Sequence, residues 1–411
     1  MNNAYYSALN LLCQPIYQTS YPRALTPLKH LLALMGSPQF AYPAVVVAGS
    51  VGKGTTAHRL AALLQAAGMR VGLYTSPHLH SFRERIRING EAISPRQVID
   101  GTHRLALGLF KLGQESYHNF STFERTTALA LDIFAHEAVD IAVLEVGLGG
   151  RWDAVNVVEN TLAIITPIER EHLGILGGSI QSIAWHKAGV IKRGGRAIVA
   201  MHQEQEVFET ILAEAEQKDA RLYWEAAEHL PYLAYRDLVD RHIAPSGGDI
   251  PELDITLPGR LEQIQIAGST IIIDGGHTPL AARHLMQTIG NREATIVIGM
   301  LGDKVPQMFL RAFDQPQLHI IFTTTPSHRG LPPTRLRREG RLQYAAVEIE
   351  QDLSAALQRH KDARGLFVVT GSLRMAAAAR EFFGLLDAEA EEEARRTRAI
   401  FDGEDYLKRL R

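Results

Sequence analysis

The sequence predicts an α/β protein of two domains, each built on a mostly parallel β-sheet. Short runs of branched apolar residues recur along the chain, and stretches of helical length and mixed polarity separate them. Continuous apolar runs are typical of strands buried on both faces, as in a parallel sheet covered by helices. With 411 residues, the chain is also too long for a single compact core.

The strand-like runs form two series. The first comprises residues 45–48, 71–74, 141–144, 162–165 and 197–201, and the second comprises residues 271–273, 296–298, 320–322 and 366–369. Between them, residues 244–248 combine alanine, proline, serine and glycine without apolar periodicity, as linkers do. We therefore predict a larger first domain over residues 1–250, which includes helices before its first strand, and a smaller second domain over residues 251–387.

Residues 388–411 differ from both domains in composition. Glutamates at 389 and 391–393 are followed by Arg395 and Arg396. Opposite charges about four residues apart stabilise a helix, so this pattern predicts a charged helical tail. A solvent-exposed helix is the simpler interpretation, and a partner-binding segment is the alternative.

Composition and charge exclude several classes of protein. The 43 basic and 45 acidic residues give a formal net charge of −2, so charge provides no argument for binding nucleic acid or an anionic membrane. Cys13 is the only cysteine, which excludes an internal disulfide and a cysteine-based zinc site. The first residues lack a signal-peptide pattern, and no apolar run has the length of a membrane span. We expect a cytoplasmic protein that acts on small molecules.

A glycine-rich turn follows the first apolar run and precedes the helix-like stretch 57–67. It reads Gly49-Ser50-Val51-Gly52-Lys53-Gly54-Thr55-Thr56. In such a turn, backbone N–H groups and the helix dipole face the phosphates of a nucleotide, and the lysine reaches the β- and γ-phosphates. The turn therefore predicts a P-loop that binds ATP or GTP. Its spacing is unusual, because two residues separate Gly49 from Gly52 and Gly54 stands between the lysine and the hydroxyls.

A bound nucleotide requires a divalent metal ion, which oxygen ligands hold. Glu145 is the best candidate, because it ends the third apolar run and open α/β sheets bind ligands at their carboxyl edge. A salt bridge to Arg151 or to a neighbouring strand is the alternative for Glu145. The pair Glu171-His172 follows the fourth run and brings an imidazole to the same edge, although a loop histidine is more often structural. By pattern alone, Lys187 is an ordinary helix lysine.

The order of these motifs resembles that of the folylpolyglutamate synthases and dihydrofolate synthases, members of the Mur-ligase superfamily. The resemblance covers nearly the whole chain, from the N-terminal helices to Phe382-Phe383. Its motifs are residues 47–55, 74–79, 82–90, 144–151, 187–192, 258–262, 274–277 and 370–373, with Asp153 and Asn156. It implies the Mur-ligase architecture, in which an N-terminal P-loop nucleotide-binding domain with a mostly parallel sheet precedes a smaller C-terminal Rossmann-like α/β domain.

The resemblance implies an ATP-dependent amide ligase. In this family a substrate carboxylate attacks the γ-phosphate of ATP to give an acyl phosphate, and the amine of an amino acid then displaces phosphate. The amino acid is glutamate in the folate enzymes, and the acceptor carboxylate would belong to folate or dihydropteroate. ATP and two Mg²⁺ ions are the implied cofactors, the substrates are small molecules, and a monomer is expected.

Metal-binding and catalytic roles carry over to matching positions. Ser76 and Glu145 would hold the first Mg²⁺, and His172 the second. Lys187 matches a lysine that becomes carbamylated in the family, which turns a cation into an anionic oxygen ligand. The resemblance thus implies Lys53, His172 and Lys187 as catalytic residues.

The remaining implied contacts are with the nucleotide and the two substrates. Arg260, Asp274 and His277 match second-domain residues that reach the nucleotide when the domains close. The acceptor would contact Phe123-Glu124, and the incoming amino acid would meet Ser327-His328-Arg329. Arginine suits an α-carboxylate because it can donate two parallel hydrogen bonds. Core packing for Phe123 and an ordinary surface position for the arginine are the alternatives.

Three departures from the family pattern lie beside the site. Ser50-Val51 stands where Thr-Asn is usual, Glu171-His172-Leu173 where Asp-His precedes a threonine, and Gly276-His277-Thr278-Pro279 where the signature ends Ala-His-Asn-Pro. None removes an implied metal ligand or the loop lysine. A ligase for a non-folate acid or a different amino acid is therefore a second hypothesis. A nucleotide-binding protein without catalysis is a third, and the retained ligands argue against it.

Overall fold

The computed structural model describes residues 3–14, 21–113, 118–246, 255–266, 268–302, 304–360 and 365–402. The described residues up to Ile255 and those from Glu393 onward form one compact unit, and those from Thr256 to Glu392 form the other. The domain boundaries predicted at residues 250 and 387 remain predictions. Gly247 and Gly248 of the predicted linker lie outside the described residues.

The first unit is built on a sheet of eight strands within the described residues. The strands are β1 (Ala44–Ala48), β2 (Val71–Tyr74), β3 (Ile86–Ile88), β4 (Glu91–Ala92), β5 (Ile141–Glu145), β6 (Leu162–Ile165), β7 (Arg196–Ala200) and β8 (Arg221–Glu225). Their spatial order is β4-β3-β2-β5-β1-β6-β7-β8. All neighbours from β2 to β8 pair in parallel, whereas β3 pairs antiparallel with β2 and with β4.

Helices cover both faces of this sheet. They are α1 (Asn3–Leu12), α2 (Thr26–Leu34), α3 (Lys53–Ala66), α4 (Pro95–Leu112), α5 (Thr122–His136), α6 (Leu173–Leu176), α7 (Ile180–Ala188), α8 (Gln205–Gln217) and α9 (Leu230–Asp240), with 3₁₀ turns at Pro38–Phe40, Phe82–Arg85, Ala154–Val157 and Ala227–His229. Val46 packs in the layer with α1, α4 and α5, and Val45 in the opposite layer with α3 and α9. Both valines are fully buried, which is why β1 is apolar throughout.

The second unit carries a six-stranded sheet within the described residues. Its strands are β9 (Glu262–Ile266), β10 (Ser269–Ile273), β11 (Ala294–Ile298), β12 (Leu318–Phe322), β13 (Ala346–Ile349) and β14 (Leu366–Thr370), in the order β13-β12-β11-β14-β10-β9. Only the β9–β10 pair is antiparallel. The helices are α10 (Pro279–Ile289), α11 (Pro306–Leu310), α12 (Pro333–Gly340), α13 (Leu353–His360) and α14 (Leu373–Phe382), with a 3₁₀ turn at Arg311–Phe313.

The predicted fold class is confirmed, because both sheets are mostly parallel and are covered by helices. Each predicted apolar run coincides with a strand to within two residues at either end. The strands that the sequence did not reveal lie at sheet margins, where burial is partial. In β8, for example, charged Arg221 and Glu225 flank half-buried Leu222 and Trp224 and the exposed Tyr223 between them, so the run is short and only partly buried. Among the described helices, none combines the length and the apolar character needed to cross a membrane.

A final helix, α15 (Ala388–Asp402), lies where the charged tail was predicted. The expectation of a solvent-exposed helix is wrong for one face, because Glu393 is 3% and Thr397 0% exposed. Ala390, Ala394 and Thr397 recur at helical spacing, and these small residues were the available signal for a packed face. Residues 403–411 of the predicted tail lie outside the described residues.

Candidate active site

Several strands of the first sheet end side by side at one edge. The register places Val47 opposite Glu145 and Ala48 opposite Ile165. Because β1, β2, β5 and β6 all run in parallel, the segments that follow them leave the sheet at the same edge. Open α/β sheets bind ligands at this carboxyl edge. It is also the edge to which the sequence assigned the nucleotide and the metal.

The turn after β1 forms an open helix N-terminus. Gly49 (φ 137°) and Gly52 (φ 83°) adopt backbone angles that disfavour side chains, and a Cβ at Gly49 would lie 2.0 Å from Thr166 Oγ1. Gly52 is the N-cap of α3 and supplies no side chain to the N–H groups of the first turn, which have no acceptor within a helix. Lys53 Nζ donates to the Gly49 carbonyl oxygen at 3.1 Å. A helix terminus of this kind beside a lysine suits a phosphate group.

Ser50, which the sequence assigned to the nucleotide, turns its hydroxyl towards another loop. Ser50 Oγ donates to the Glu169 carbonyl oxygen (3.2 Å) and accepts the Glu169 N–H (3.0 Å). The N–H groups of Ser50 and Val51 donate to the Pro167 carbonyl oxygen at 2.9 and 3.2 Å. Both residues therefore fasten the P-loop to the segment after β6. In the first turn of α3 the Thr56 N–H donates to the Gly52 carbonyl oxygen at 2.9 Å, whereas the N–H groups of Lys53, Gly54 and Thr55 precede the first acceptor of the helix. Their contact with phosphates stays a prediction.

Glu145 ends β5 and is 6% exposed. Its Oε2 accepts the Ser76 N–H at 2.9 Å, and a Cβ on Gly54 would lie 3.5 Å from the same oxygen, so the carboxylate touches the first turn of α3. Arg151, the alternative partner, instead pairs with Glu214 at 2.6 Å. A carboxylate and a serine beside the open N-terminus of α3 offer the oxygen donors that Mg²⁺ prefers. These residues fit a divalent metal ion.

Lys187 lies in the last turn of α7 and is 2% exposed. Its Nζ donates to the Gly49 carbonyl oxygen and to Glu171 Oε1, both at 2.7 Å. Burial lowers the pKa of Lys187 to about 8, against the opposing effect of the Glu171 carboxylate. Burial disfavours ionised Glu171 too, but the charges of Lys187 and Lys53 prevail and lower its pKa to about 2. By pattern alone Lys187 was an ordinary helix lysine. The structure shows that its side chain is hydrogen-bonded to the P-loop.

His172 lies next to this ion pair. It has a left-handed backbone (φ 50°) at the N-cap of α6, and its Nε2 lies 3.8 Å from Glu171 Oε2. Imidazole is a common ligand of divalent metals. Within the described residues, no group of three His, Cys, Asp or Glu side chains is arranged to hold a metal ion. The role of His172 at a second metal ion stays a prediction.

Close contact between two chain segments fixes the position of Lys187. Gly189, directly after α7, has ordinary helical angles (φ −57°), yet a Cβ there would lie 2.5 Å from Arg151 Cα. The Arg151 guanidinium carbon in turn lies 3.9 Å from the centroid of the Trp185 ring. The glycine therefore lets the end of α7 approach the turn that follows β5.

We expect Gly189→Ala to lower the free energy of unfolding by about 1–3 kcal/mol, because backbone atoms must move to admit the methyl group. Gly178→Ala is the matched control, since no atom lies within 4 Å of the Cβ position and its φ is not in the left-handed range. Urea denaturation followed by circular dichroism measures both variants. Equal stabilities would show that the contact between α7 and the Arg151 turn is not tight.

Phe123 and Glu124, the predicted acceptor contacts, have different surroundings. The half-buried Phe123 ring covers Gly147, where a Cβ would lie 2.6 Å from it. Glu124 forms the capping box of α5, in which it accepts the Ser121 N–H at 2.7 Å, and it also pairs with Arg23 at 3.1 Å. The Ser-x-x-Glu spacing was the sequence signal for this cap. Glu124 thus holds α5 and Arg23, a residue that the sequence did not single out.

Asp153 is a further buried carboxylate that the motif contained but that received no role. It accepts the N–H groups of Gly147, Leu148 and Val155 at 3.1, 2.9 and 2.9 Å. Burial raises the pKa of Asp153 to about 7 in spite of these bonds. The side chain shapes the glycine-rich turn directly after Glu145. The sequence signal for this role was an aspartate placed after a glycine-rich turn and before a short 3₁₀ helix.

In the second unit, two of the predicted nucleotide contacts, Asp274 and His277, lie after β10, and the third, Arg260, lies just before β9. Asp274 is 5% exposed and accepts the N–H groups of Leu261 (3.2 Å) and Gly276 (2.9 Å). Burial raises the pKa of Asp274, and the neighbouring Arg260 opposes this. His277 Nδ1 lies 3.3 Å from the carbonyl oxygen two residues before it. The structure therefore brings these three side chains to the carboxyl edge of the second sheet.

Two loops of the second unit contain the remaining residues that the sequence singled out, Thr278 and the segment 327–329. Thr278 stands where the family has asparagine. Its hydroxyl accepts the Ala281 N–H at 3.3 Å and so caps α10, a role that asparagine also performs at helix N-termini. In the predicted amino-acid segment, Ser327 Oγ accepts the Arg329 N–H at 3.2 Å, while the side chains of His328 and Arg329 are exposed. Their contact with an amino acid stays a prediction.

Comparison with protein families follows the division into two units. Residues 47–261 match the family model of the Mur ligase middle domain, and residues 259–373 match that of the Mur ligase glutamate ligase domain. A dihydrofolate synthase/folylpolyglutamate synthase of Mycobacterium tuberculosis is 33% identical over 453 aligned residues, which cover 91% of this chain and 93% of the relative.

Solved structures extend the similarity to the whole fold. Escherichia coli FolC in complex with DHPP and ADP superimposes with a TM-score of 0.79 at 25% identity, over 94% of this chain and 99% of that one. A bifunctional folylpolyglutamate synthase/dihydrofolate synthase of Yersinia pestis, complexed with AMPPNP and a Mn ion, gives a TM-score of 0.75 at 26% identity, over 90% and 96% of the chains.

Proposed function

This chain belongs to the dihydrofolate synthase/folylpolyglutamate synthase family of Mur ligases, and we propose that its P-loop site forms an amide bond through an acyl phosphate. It is an ATP-dependent ligase that joins glutamate to folate or dihydropteroate. The meeting of the P-loop, Glu145 and Lys187 at one sheet edge is the observation that carries the proposal.

The reaction has two steps. An oxygen of the acceptor carboxylate attacks the γ-phosphorus of ATP, the bond to the bridging oxygen breaks, and ADP leaves. The glutamate amine then attacks the acyl carbon, phosphate departs, and the amine loses a proton. Phosphoryl transfer depends mainly on positioning and charge neutralisation.

The chain's own groups supply much of this positioning. The N–H groups in the first turn of α3 hold the phosphate oxygens, and Lys53, released from the Gly49 carbonyl oxygen, binds the β- and γ-phosphates. A divalent cation held by Ser76 and Glu145 would neutralise the negative charge that develops at the γ-phosphate. A second ion, at His172 and Lys187, is part of the proposal.

Carbamylation of Lys187 is also part of the proposal. The neutral amine attacks carbon dioxide, a C–N bond forms, and one proton is released, which leaves an anionic carbamate. A pKa of about 8 gives this lysine far more neutral amine near neutral pH than an ordinary lysine has. An unmodified ammonium at this position would repel a metal ion, whereas a carbamate would bind one.

The test is incubation of the purified protein with ATP, Mg²⁺, glutamate and either dihydropteroate or tetrahydrofolate. We expect ADP and an acceptor that is heavier by one glutamate residue, detected by mass spectrometry. Reactions without the acceptor, and with Lys53→Ala, are the controls. Absence of product with every pterin acceptor would overturn the folate assignment.

A second candidate function keeps the chemistry and changes the acceptor. The departures from the family pattern lie beside the site. Val51 is in the P-loop, Glu171 is in the loop whose carboxylate binds Lys187, and Thr278 caps the helix after Asp274. A panel of carboxylic acids and amino acids, scored by substrate-dependent release of phosphate, separates the two candidates. A non-pterin acid that gives the faster rate would favour the second.

A further inference from the structure

We infer that helix α15 is a positioning element of the ligase site, in which Glu393 and Phe401 hold the β2–β3 loop (residues 75–85) so that Ser76 meets Glu145. The contacts that carry this role all lie within the first unit. The role rests on the proposed function, because it is there that Ser76 acts as a metal ligand.

The β2–β3 loop is closed and internally braced. The Thr75 N–H donates to the Arg85 carbonyl oxygen at 2.9 Å, which joins the two ends of the loop. The Glu84 carboxylate accepts three successive N–H groups, those of residues 79, 80 and 81, at 2.7, 3.0 and 2.7 Å. Because these bonds join the two sides of the loop, we expect a displacement at its Ser81–Arg85 end to reach Ser76.

Glu393 binds this loop at Ser81 and Arg83. Its Oε1 accepts Arg83 Nε at 3.0 Å and its Oε2 accepts Arg83 Nη2 at 2.6 Å, which is the two-pronged geometry of a strong arginine–carboxylate pair. The Ser81 hydroxyl and the Tyr5 hydroxyl (2.9 Å) donate to Oε1 as well. A carboxylate that is 3% exposed and meets these donors locks the helix to the loop.

Phe401 covers the same loop two turns further along α15. Its ring stacks on Phe82 with centroids 5.7 Å apart, meets the edge of His78 at 4.8 Å, and has the Arg85 guanidinium carbon 5.6 Å from its centroid. Arg85 Nε also donates to His78 Nδ1 at 2.8 Å. The phenyl ring therefore holds together residues from both sides of the loop, and His78 is only two positions from Ser76.

A helix that merely covered apolar surface would not need this arrangement. Of the residues that donate to Glu393, Ser81 and Arg83 belong to the β2–β3 loop. Burial of a carboxylate is unfavourable unless its partners are well placed, and removal of one partner leaves the other charge uncompensated. Loss of Glu393 should therefore loosen this loop selectively. The P-loop follows a different strand and should keep its conformation.

Glu393→Ala tests this role, with Glu393→Gln as the milder variant and Glu391→Ala as the control. Glu391 is on the exposed face of the same helix, so its variant loses the same charge without touching the loop. For each variant we measure four properties: hydrogen exchange of residues 76–85, KM for Mg²⁺ and for the acceptor, kcat, and affinity for a fluorescent ATP analogue. For Glu393→Ala we expect faster exchange in the loop, a loss in kcat/KM of about a hundredfold, and nucleotide affinity close to that of the unsubstituted protein.

Each outcome decides the role of α15. An intermediate loss for Glu393→Gln, which keeps the acceptors for the two hydroxyls, would support it. Loop exchange and kinetics equal to those of Glu391→Ala would overturn it, as would an activity loss that disappears at a lower temperature where the variant is fully folded. If the unsubstituted protein proves inactive with every acceptor, the proposed function fails, while hydrogen exchange alone still decides whether Glu393 holds the loop.

Discussion

Lys187→Met is expected to lower the rate of ligation by about a thousandfold, comparable to the loss of a principal charge-stabilising group. The methionine keeps the apolar stem in its buried place but provides neither an amine for carbamylation nor a donor to Gly49 and Glu171. Nucleotide affinity should change little, because the helix terminus and Lys53 remain. Substrate-dependent release of phosphate and binding of a fluorescent nucleotide measure the two effects separately.

Lys192→Met is the matched control. Burial lowers the pKa of Lys192 to about 8 as well, but its Nζ donates to the Asn156 carbonyl oxygen at 3.1 Å, away from the P-loop. We expect this variant to keep most of the activity. Carbamylation is followed by ¹³C NMR in ¹³C-bicarbonate with Mg²⁺ present. We expect a carbamate signal that strengthens as pH rises through about 8, that Lys187→Met loses and that Lys192→Met keeps, because a metal ion would hold the carbamate at Lys187. Full activity of Lys187→Met would contradict its assignment to the site.

Glu145→Gln is expected to lower kcat/KM by about a hundredfold or more at low Mg²⁺, because an amide oxygen binds a hard cation far less strongly than a carboxylate does. The glutamine can still accept the Ser76 N–H, so the local fold should be retained. A titration of the initial rate against Mg²⁺ concentration measures the change. We expect excess Mg²⁺ to restore part of the activity.

Glu225→Gln controls for the loss of a carboxylate at the end of a parallel strand. Glu225 ends β8 at the margin of the same sheet, where its Oε1 accepts the neighbouring Ala226 N–H at 2.8 Å. Its substitution should leave the Mg²⁺ dependence unchanged. An identical Mg²⁺ dependence for Glu145→Gln and the unsubstituted enzyme would exclude Glu145 as a metal ligand.

The central strands and the P-loop were predictable because their sequence signals are local. Strands such as β1 and β5 are buried on both faces, so β1 and the first four positions of β5 are apolar and the run is visible without knowledge of neighbours. Gly49 and Gly52 likewise mark backbone angles that the turn itself requires. β8 and the other strands at sheet margins were missed, because their partial burial leaves a mixed pattern that resembles a loop.

Contacts between distant segments were not predictable from such patterns. The hydrogen bonds between the Ser50 hydroxyl and Glu169, and those by which Glu124 caps α5 and pairs with Arg23, join residues that no motif links, while the substrate contacts of both residues stay predictions. The acidic run before Arg395 suggested a solvated helix, yet Glu393 is buried against Arg83. Charge patterning shows that a helix is stable in water, but the identity of its buried face depends on what packs against it.

The sequence by itself determined the two α/β units, the P-loop and the family of ligases, because apolar runs, glycine turns and ordered motifs are properties of neighbouring residues. Only the tertiary structure decided which side chains share the site. Lys187 lies 2.7 Å from both Gly49 and Glu171 because α7 ends against a glycine contact at Arg151, and residues far apart in the chain meet there. Burial at this meeting point is what lowers the pKa of the lysine, and no local pattern records it.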